Sequence, residues 1–374
     1  MLANGLRHLM THYRILNGTQ FESRLKTWSF LASFLHKTAP SCTRESDKTA
    51  KKHSTTMSPD TDLLGVNDLA DLSERNEEKK GGRKKWNYPN QQFEKRLKFK
   101  RNLQDLQTSL EGEVLFGLHP ILITLEQNRR SFHRLFLKDS IPRDEGVVRK
   151  IVQVAETKGI EVIPLPVKML DILSKGAPHQ GVCLDASQRK YETITDDKLD
   201  AALLGAQKQK LWVYLDKIQD PRNVGAIIRS SYYFGVEKIF VPKENSCRLS
   251  PVVHKASSGA VELLSLYALK DPEEFLQRVK DQSWNIVGTA GGDNQQADSP
   301  EKIDVNSYSN EHNTILLLGN EGKGLSPNLL TFCDSLVTVR PRGFMNPAVD
   351  SLNVSVATGI LLHSLTRNFR TERG

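Results

Sequence analysis

The sequence predicts an α/β protein with two globular regions, a small one over residues 111–187 and a larger one over residues 210–367. In the larger region, continuous apolar runs such as Leu211–Leu215 and Ile315–Leu318 alternate with helical patterns, which is typical of a parallel sheet buried on both faces. In the smaller region, short apolar strands alternate with helices that begin near proline or end at glycine. The polar stretch 188–209 is predicted to be a linker between the two regions.

Charge and composition indicate which kinds of partner, membrane segment and metal or disulfide site the chain could have. The net charge of +8 favours a polyanionic partner such as nucleic acid. The sequence contains no run of about 18 apolar residues, so no membrane-spanning helix is predicted. The four cysteines lie far apart and form no CxxC pair, which predicts neither a metal site nor a disulfide framework and favours a reducing compartment.

The N-terminal extension divides into two parts. Residues 1–44 contain six Lys or Arg and one acid, with apolar residues at helical spacing, which predicts a mitochondrial transit peptide and a location in the matrix; a basic tail is the alternative. Residues 45–110 are polar and are predicted to be a disordered linker. Within it, residues 83–101 carry eight Lys or Arg against Glu94, interleaved with aromatic residues. This basic segment is typical either of RNA binding or of a solvated charge run.

Two segments of the larger region combine glycines with polar side chains. Asp220–Ser230 follows a predicted strand and opens a helix, so that Asn223 and Arg229 are expected within reach of one pocket; a helix N-terminus with an arginine is an anion site. Leu318–Leu325 places three glycines in six residues after a buried strand, which implies close approach of backbone to a ligand. The segment matches neither a P-loop nor GxGxxG, which disfavours a nicotinamide dehydrogenase.

A third segment, Ser351–Gly359, has polar residues Ser351, Asn353 and Ser355 in an apolar helix start, which predicts a lined pocket. Together and in this order, the three segments resemble the signature of the SPOUT superfamily, specifically the TrmH-like RNA ribose 2′-O-methyltransferases. Upstream, Phe116–Pro120 and His179–Val182 resemble the edges of that family's RNA-recognition domain, which has a ribosomal-protein-like α/β fold. The resemblance covers about residues 113–367.

The resemblance implies a trefoil-knotted, parallel-sheet domain that binds S-adenosylmethionine, and a homodimer. By motif matching it assigns the reaction centre to Asn223, Arg229, Glu321, Ser351 and Asn353, and the cofactor to Gly319, Val339, Leu352 and Asn353.

The expected activity is 2′-O-methylation of a ribose, by the resemblance that of a guanosine in mitochondrial large-subunit (16S) rRNA or a pre-ribosomal particle. Two alternatives remain open: a non-catalytic RNA-binding ribosome assembly factor, and a methyltransferase that acts on tRNA. His119, His179 and His254 each stand without a partner at the level of sequence and are predicted to cap helices or lie at the surface.

Overall fold

The computed structural model describes residues 89–142, 146–204, 209–290, 300–320, 322–343, 346 and 351–367. The predicted transit peptide and the part of the predicted linker before residue 89 lie outside the described residues. Within the described ranges, no helix is long and apolar enough to cross a membrane.

The smaller region is a four-stranded sheet of order β1-β4-β2-β3, in which β2 and β3 are parallel and β4 runs antiparallel to both of its neighbours. Side chains alternate between its faces: Leu135 and Leu137 pack with two helices on one face, and Phe136 packs on the other. The elements are α1 (Pro89–Thr108), β1 (Glu113–Phe116), α2 (Leu118–Gln127), β2 (Phe132–Lys138), α3 (Gly146–Thr157), β3 (Glu161–Leu165), α4 (Val167–Leu173) and β4 (Val182–Ala186).

Helix α1 corrects the prediction of a disordered linker through residue 110. Three of its apolar side chains recur at helical spacing, and a fourth lies just after the helix; all pack, half buried, against the cluster that α4 forms with the sheet: Phe99, Leu103, Leu106 and Leu110. This narrow stripe stabilises the helix, although the rest of its surface is polar. The polar composition of residues 45–110 hides the stripe, because its four apolar residues are surrounded by polar neighbours.

The larger region is a seven-stranded sheet of order β7-β6-β5-β10-β8-β11-β9, and every recorded pairing is parallel, as predicted. Hydrophobic clusters cover both faces. The strands are β5 (Leu211–Leu215), β6 (Lys238–Pro242), β7 (Ser265–Leu269), β8 (Asn285–Thr289), β9 (Lys302–Asp304), β10 (Thr314–Leu318) and β11 (Ser335–Thr338). The helices that follow α5 (Asp196–Leu204) are α6 (Pro221–Tyr233), α7 (Pro251–Ala256), α8 (Pro272–Asp281), α9 (Pro327–Leu330) and α10 (Val354–Leu365).

The predicted linker 188–209 contains helix α5, which packs on the larger region rather than lying free. Leu199 and Leu203 are buried in the cluster beneath the sheet. The Arg278 guanidinium of α8 forms ion pairs with Asp196 and Asp200 of α5. Two buried leucines were too weak a periodic signal to identify this helix within a polar stretch.

A buried ion-pair network joins the two regions. The Arg130 side chain of the smaller region is fully buried; its Nε donates to Glu262 Oε1 (2.8 Å), and its Nη1 donates to Glu113 Oε1 (2.6 Å). Glu262 is also fully buried and lies in a 3₁₀ turn (Ala260–Glu262) of the larger region. Burial raises the pKa of the Glu113 carboxyl, and its hydrogen bond to Arg130 opposes that change. Buried charges of this kind are tolerated because they are paired.

A second polar contact crosses the seam, which is the interface between the smaller and the larger region. His254 Nε2 of α7 lies 2.7 Å from Thr124 Oγ1 of α2. The Thr124 hydroxyl donates its proton to Pro120 O (2.8 Å), so the imidazole Nε2–H is the donor to Thr124. Burial lowers the pKa of His254 to about 3, which keeps the ring neutral. The prediction of a capping or surface histidine was wrong here, because this ring is fully buried between the two regions.

Arg130→Met is expected to lower the free energy of unfolding by about 3–5 kcal/mol, because it leaves the buried Glu262 carboxylate without its counter-charge. Arg149→Met is the matched control, since Arg149 is exposed on α3 and no ion pair joins it to a described residue; we expect it to cost under about 1 kcal/mol. Urea denaturation measures the free energy of unfolding of both variants. Equal losses would show that the seam does not depend on the buried pair.

Candidate active site

The carboxyl ends of four neighbouring strands, β5, β10, β8 and β11, form one edge of the larger sheet. In parallel sheets, ligands bind in the crevice beyond this edge. Gly319 follows β10 directly, and Val339 follows β11 directly. The structure therefore places these two predicted cofactor residues at the same edge of the sheet.

The loop after β10 folds tightly on itself and requires glycine at Gly319. A Cβ atom on Gly319 would lie 2.4 Å from Gly324 C and 2.5 Å from Leu325 N. Asn320 and Gly324 exchange backbone hydrogen bonds of 2.9 Å in both directions, and Gly324 has a φ of +68°. The predicted need for glycine is explained by contact of the loop with its own backbone, which leaves peptide groups at the edge of the sheet.

Two side chains that the sequence did not single out as site residues hold this loop in place. The buried Asp216 carboxylate accepts a hydrogen bond from Ser326 N (2.6 Å). Thr289 Oγ1 accepts one from Gly319 N (3.3 Å). The position of Asp216 directly after the buried strand β5 was the signal that the sequence offered.

The start of α6 positions Asn223. The Asp220 carboxylate caps the helix by accepting hydrogen bonds from Arg222 N (2.7 Å) and Asn223 N (3.1 Å), and Pro221 occupies the first turn. Asn223 is half buried in that turn. The cap fixes the backbone that carries the Asn223 side chain.

The start of α10 meets the start of α6 through two asparagines. Asn353 is the N-cap of α10: its Oδ1 accepts from Ser355 N (2.9 Å), and its Nδ2 donates to Asn223 Oδ1 (3.1 Å). Residues 130 positions apart are thereby joined. Because α10 begins at Val354, Ser351 lies before the helix and not within the helix start that the sequence predicted.

The remaining predicted site residues are more dispersed. Arg229 is exposed on α6, about 9 Å along the helix axis from Asn223 at 1.5 Å per residue. Its guanidinium has no hydrogen bond or ion pair with the residues that the structure describes. Ser351 and Leu352 are exposed directly before α10, and Glu321 lies outside the described residues. The structure thus joins Asn223 with Asn353 by a hydrogen bond, and among the described residues Arg229 forms no hydrogen bond with either.

The side chains of this edge are suited to binding and orienting rather than to metal chemistry. Asparagine amides, hydroxyls, peptide groups and one guanidinium make up the predicted set. Over the described part of the chain, no cluster of three or more His, Cys, Asp or Glu side chains could hold a metal ion. The arrangement can donate hydrogen bonds to a polar ligand and place a positive charge near an anion.

Both regions match known families. Residues 210–363 match the SpoU rRNA Methylase family, and residues 114–192 match the family described as RNA 2′-O ribose methyltransferase substrate binding. Human "rRNA methyltransferase 1, mitochondrial" is 38% identical over 276 residues, which are 72% of this chain and 78% of the human protein.

A bacterial relative and a solved structure agree with these matches. The 23S rRNA (guanosine-2′-O-)-methyltransferase of Nitrosomonas europaea is 31% identical over 264 residues, covering 70% of this chain and 94% of the relative. The crystal structure of an AdoMet-bound rRNA methyltransferase from Sinorhizobium meliloti has the same fold, with a TM-score of 0.54 at 22% identity; the match covers 74% of this chain and 95% of that one.

Asn353→Ala is expected to lower the free energy of unfolding by about 1 kcal/mol, because α10 loses its N-cap. Asn353→Asp retains an oxygen for Ser355 N but loses the Nδ2 donor to Asn223; we expect it to stay within about 0.5 kcal/mol of the native protein. Thermal unfolding measures the loss of stability of each variant relative to the native protein. Equal destabilisation would show that the asparagine contact, rather than the cap, stabilises this end of the helix.

Proposed function

Because the chain belongs to the SpoU rRNA methylase family, we propose that it transfers the methyl group of S-adenosylmethionine to a ribose 2′-hydroxyl of ribosomal RNA. The observation that carries the proposal is the contact between Asn353 and Asn223 beside the glycine loop that follows β10. It joins two of the motif segments at the edge of the sheet where a ligand is expected.

The residues at this edge fit the methyl donor. S-Adenosylmethionine supplies a methyl group on a sulfonium, which is already activated, so the protein need form no covalent intermediate. We propose that the backbone at Gly319, Val339 and Leu352 holds the donor. Gly319 lies directly after β10 at the edge of the sheet, and Val339 packs against the apolar cluster of the sheet. This combination suits a ligand with an apolar face and several polar groups.

The protein must then orient the 2′-hydroxyl and ease the loss of its proton. Asn353 and Asn223 are positioned to orient polar groups, and Ser351 lies two residues before Asn353, ahead of α10. We assign to Arg229 the placement of an RNA phosphate and stabilisation of the negative charge that develops on the 2′-oxygen. Guanidinium groups keep their proton in proteins, which disfavours a simple general base. Glu321 is included in the proposed reaction centre by the family motif.

The finer assignments rest on the relatives and on the N-terminal sequence. We propose that the substrate nucleotide is a guanosine of mitochondrial large-subunit rRNA, free or in a pre-ribosomal particle, and that the protein acts in the mitochondrial matrix. The human relative's name and the transit-peptide composition of residues 1–44 support the location. The bacterial relative's name supports guanosine. The trefoil knot implied by the resemblance remains a prediction.

A homodimer is proposed from an exposed apolar surface. Helices α6 and α10 pack against each other, and both carry exposed large apolar side chains. Large apolar side chains exposed on two packed helices favour an interaction site, and a two-fold dimer is the commonest oligomer. The residues are Tyr232, Tyr233, Leu352, Val356 and Ile360.

The direct test is methyl transfer from labelled S-adenosylmethionine to a transcript of mitochondrial large-subunit rRNA, followed by digestion to nucleosides. We expect a labelled 2′-O-methylguanosine that Asn353→Asp largely abolishes while the variant stays folded. Label on a base would contradict the proposal. If the folded protein does not bind S-adenosylmethionine in calorimetry, the protein is instead a non-catalytic ribosome assembly factor. If it methylates tRNA and not rRNA, it is instead a tRNA methyltransferase.

Arg229→Lys is expected to lower kcat about 100-fold or more while affinity for S-adenosylmethionine is unchanged, because lysine retains the charge but not the forked set of donors. Arg149→Lys on the exposed surface of α3 is the matched control and should retain native activity. Turnover near that of the native protein in Arg229→Lys would remove this residue from the reaction centre.

A further inference from the structure

Helix α1 carries a basic surface that lies outside both family matches, which begin at residue 114. The helix contains five Lys or Arg against two acids, Glu94 and Asp105. Among the described residues, no carboxylate forms an ion pair with the four basic side chains whose exposure the structure gives. These residues, here called the basic helix surface, are all exposed: Lys95, Lys98, Lys100 and Arg101.

The apolar stripe of α1 fixes this surface to the smaller region. Phe99 and Leu103 pack against the cluster that contains Leu170 and Leu173 of α4, so the basic side chains next to them in the helix are held in place. Exposed Lys168 of α4 adds a further positive charge on the same face of the sheet. The cations therefore stand on a folded helix rather than on a free tail.

This face of the sheet is distinct from the face that meets the larger region. On that other face, α2 approaches the larger region closely: a Cβ on Gly259 would lie 3.0 Å from Pro120 Cα and 3.3 Å from Ile123 Cβ. Helices α1 and α4 cover the opposite face. The basic helix surface is therefore available to a large partner while the two regions stay joined.

The partner chemistry follows from what the helix exposes. A helix that lies in a membrane surface inserts an exposed apolar face among the lipids. The apolar stripe of α1 is already occupied by packing, and Leu97, 40% exposed, is the large hydrophobic side chain that the described part of the helix exposes. Unpaired cations without an apolar face are suited to binding phosphates, whose counterions they displace.

We propose that the basic helix surface binds the phosphate backbone of the substrate RNA, at a distance in sequence and structure from the nucleotide that is methylated. The inference rests on the proposed function for the identity of the RNA. The contact supplies affinity that is independent of base sequence and positions the RNA on the smaller region. It does not take part in methyl transfer.

The test is a variant in which Lys95, Lys98, Lys100 and Arg101 are all replaced by Gln. Its affinity for a labelled large-subunit rRNA transcript is measured by fluorescence anisotropy over a range of salt concentrations. We expect Kd to rise about 10- to 100-fold near 0.15 M salt, and the slope of log K against log salt to become shallower by about 0.7–0.9 for each phosphate that the variant no longer neutralises. At saturating RNA, kcat and affinity for S-adenosylmethionine should stay at native values.

The control removes the same charge from exposed positions elsewhere: Arg149, Lys150, Lys190 and Lys198, each to Gln. Equal changes in Kd and slope in the two variants would overturn the proposal, because they would reflect net charge alone. Replacing the three lysines of the basic helix surface by Arg should preserve both values, and the double variant Lys95→Gln/Lys98→Gln should show about half the change in slope. If the native protein binds the RNA but transfers no methyl group, the proposed function fails while the salt dependence still tests this surface.

Discussion

The buried ion pair between Arg130 and Glu262 is the interaction on which the arrangement of the two regions depends. Both side chains are fully removed from water, so separating the regions would either expose the seam or leave a charge unpaired within it. The neutral His254 ring adds a hydrogen bond to Thr124 across the same seam. The two regions accordingly belong to one compact unit. An RNA held by the smaller region would therefore meet the reaction centre in a defined orientation.

Within the larger region, the parallel sheet imposes the position of the site. All recorded pairings are parallel, so the loops after β5, β10 and β11 leave the same edge. The glycine loop after β10 brings peptide groups to that edge, and the contact between Asn223 and Asn353 brings two helix starts beside it. A site made of peptide groups and amides is adequate for transfer from an activated sulfonium, where positioning contributes more than acid–base chemistry.

The buried strands were predictable because each is a continuous apolar run, and α6 and α8 because an aspartate cap precedes proline. β7, β9 and β11 were not predicted, because their burial is partial and their apolar runs are short or interrupted. Helices α1 and α5 were missed because a few buried side chains stabilise them within polar sequence. The glycine requirement at Gly319 was predicted from spacing. The contact of Asn353 with Asn223 depends on chain topology, which local patterns do not contain.

The central proposal is that methyl transfer takes place at the edge of the sheet beside Asn223 and Asn353. The roles assigned to the other site residues depend on it. A crystal structure of the protein with an unreactive analogue of S-adenosylmethionine would locate the methyl donor. We predict an analogue held against the backbone of Gly319 and Val339, with the position of its transferable methyl group facing the two asparagines. An analogue bound elsewhere, or one whose methyl position faces away from Asn223 and Asn353, would contradict the proposal.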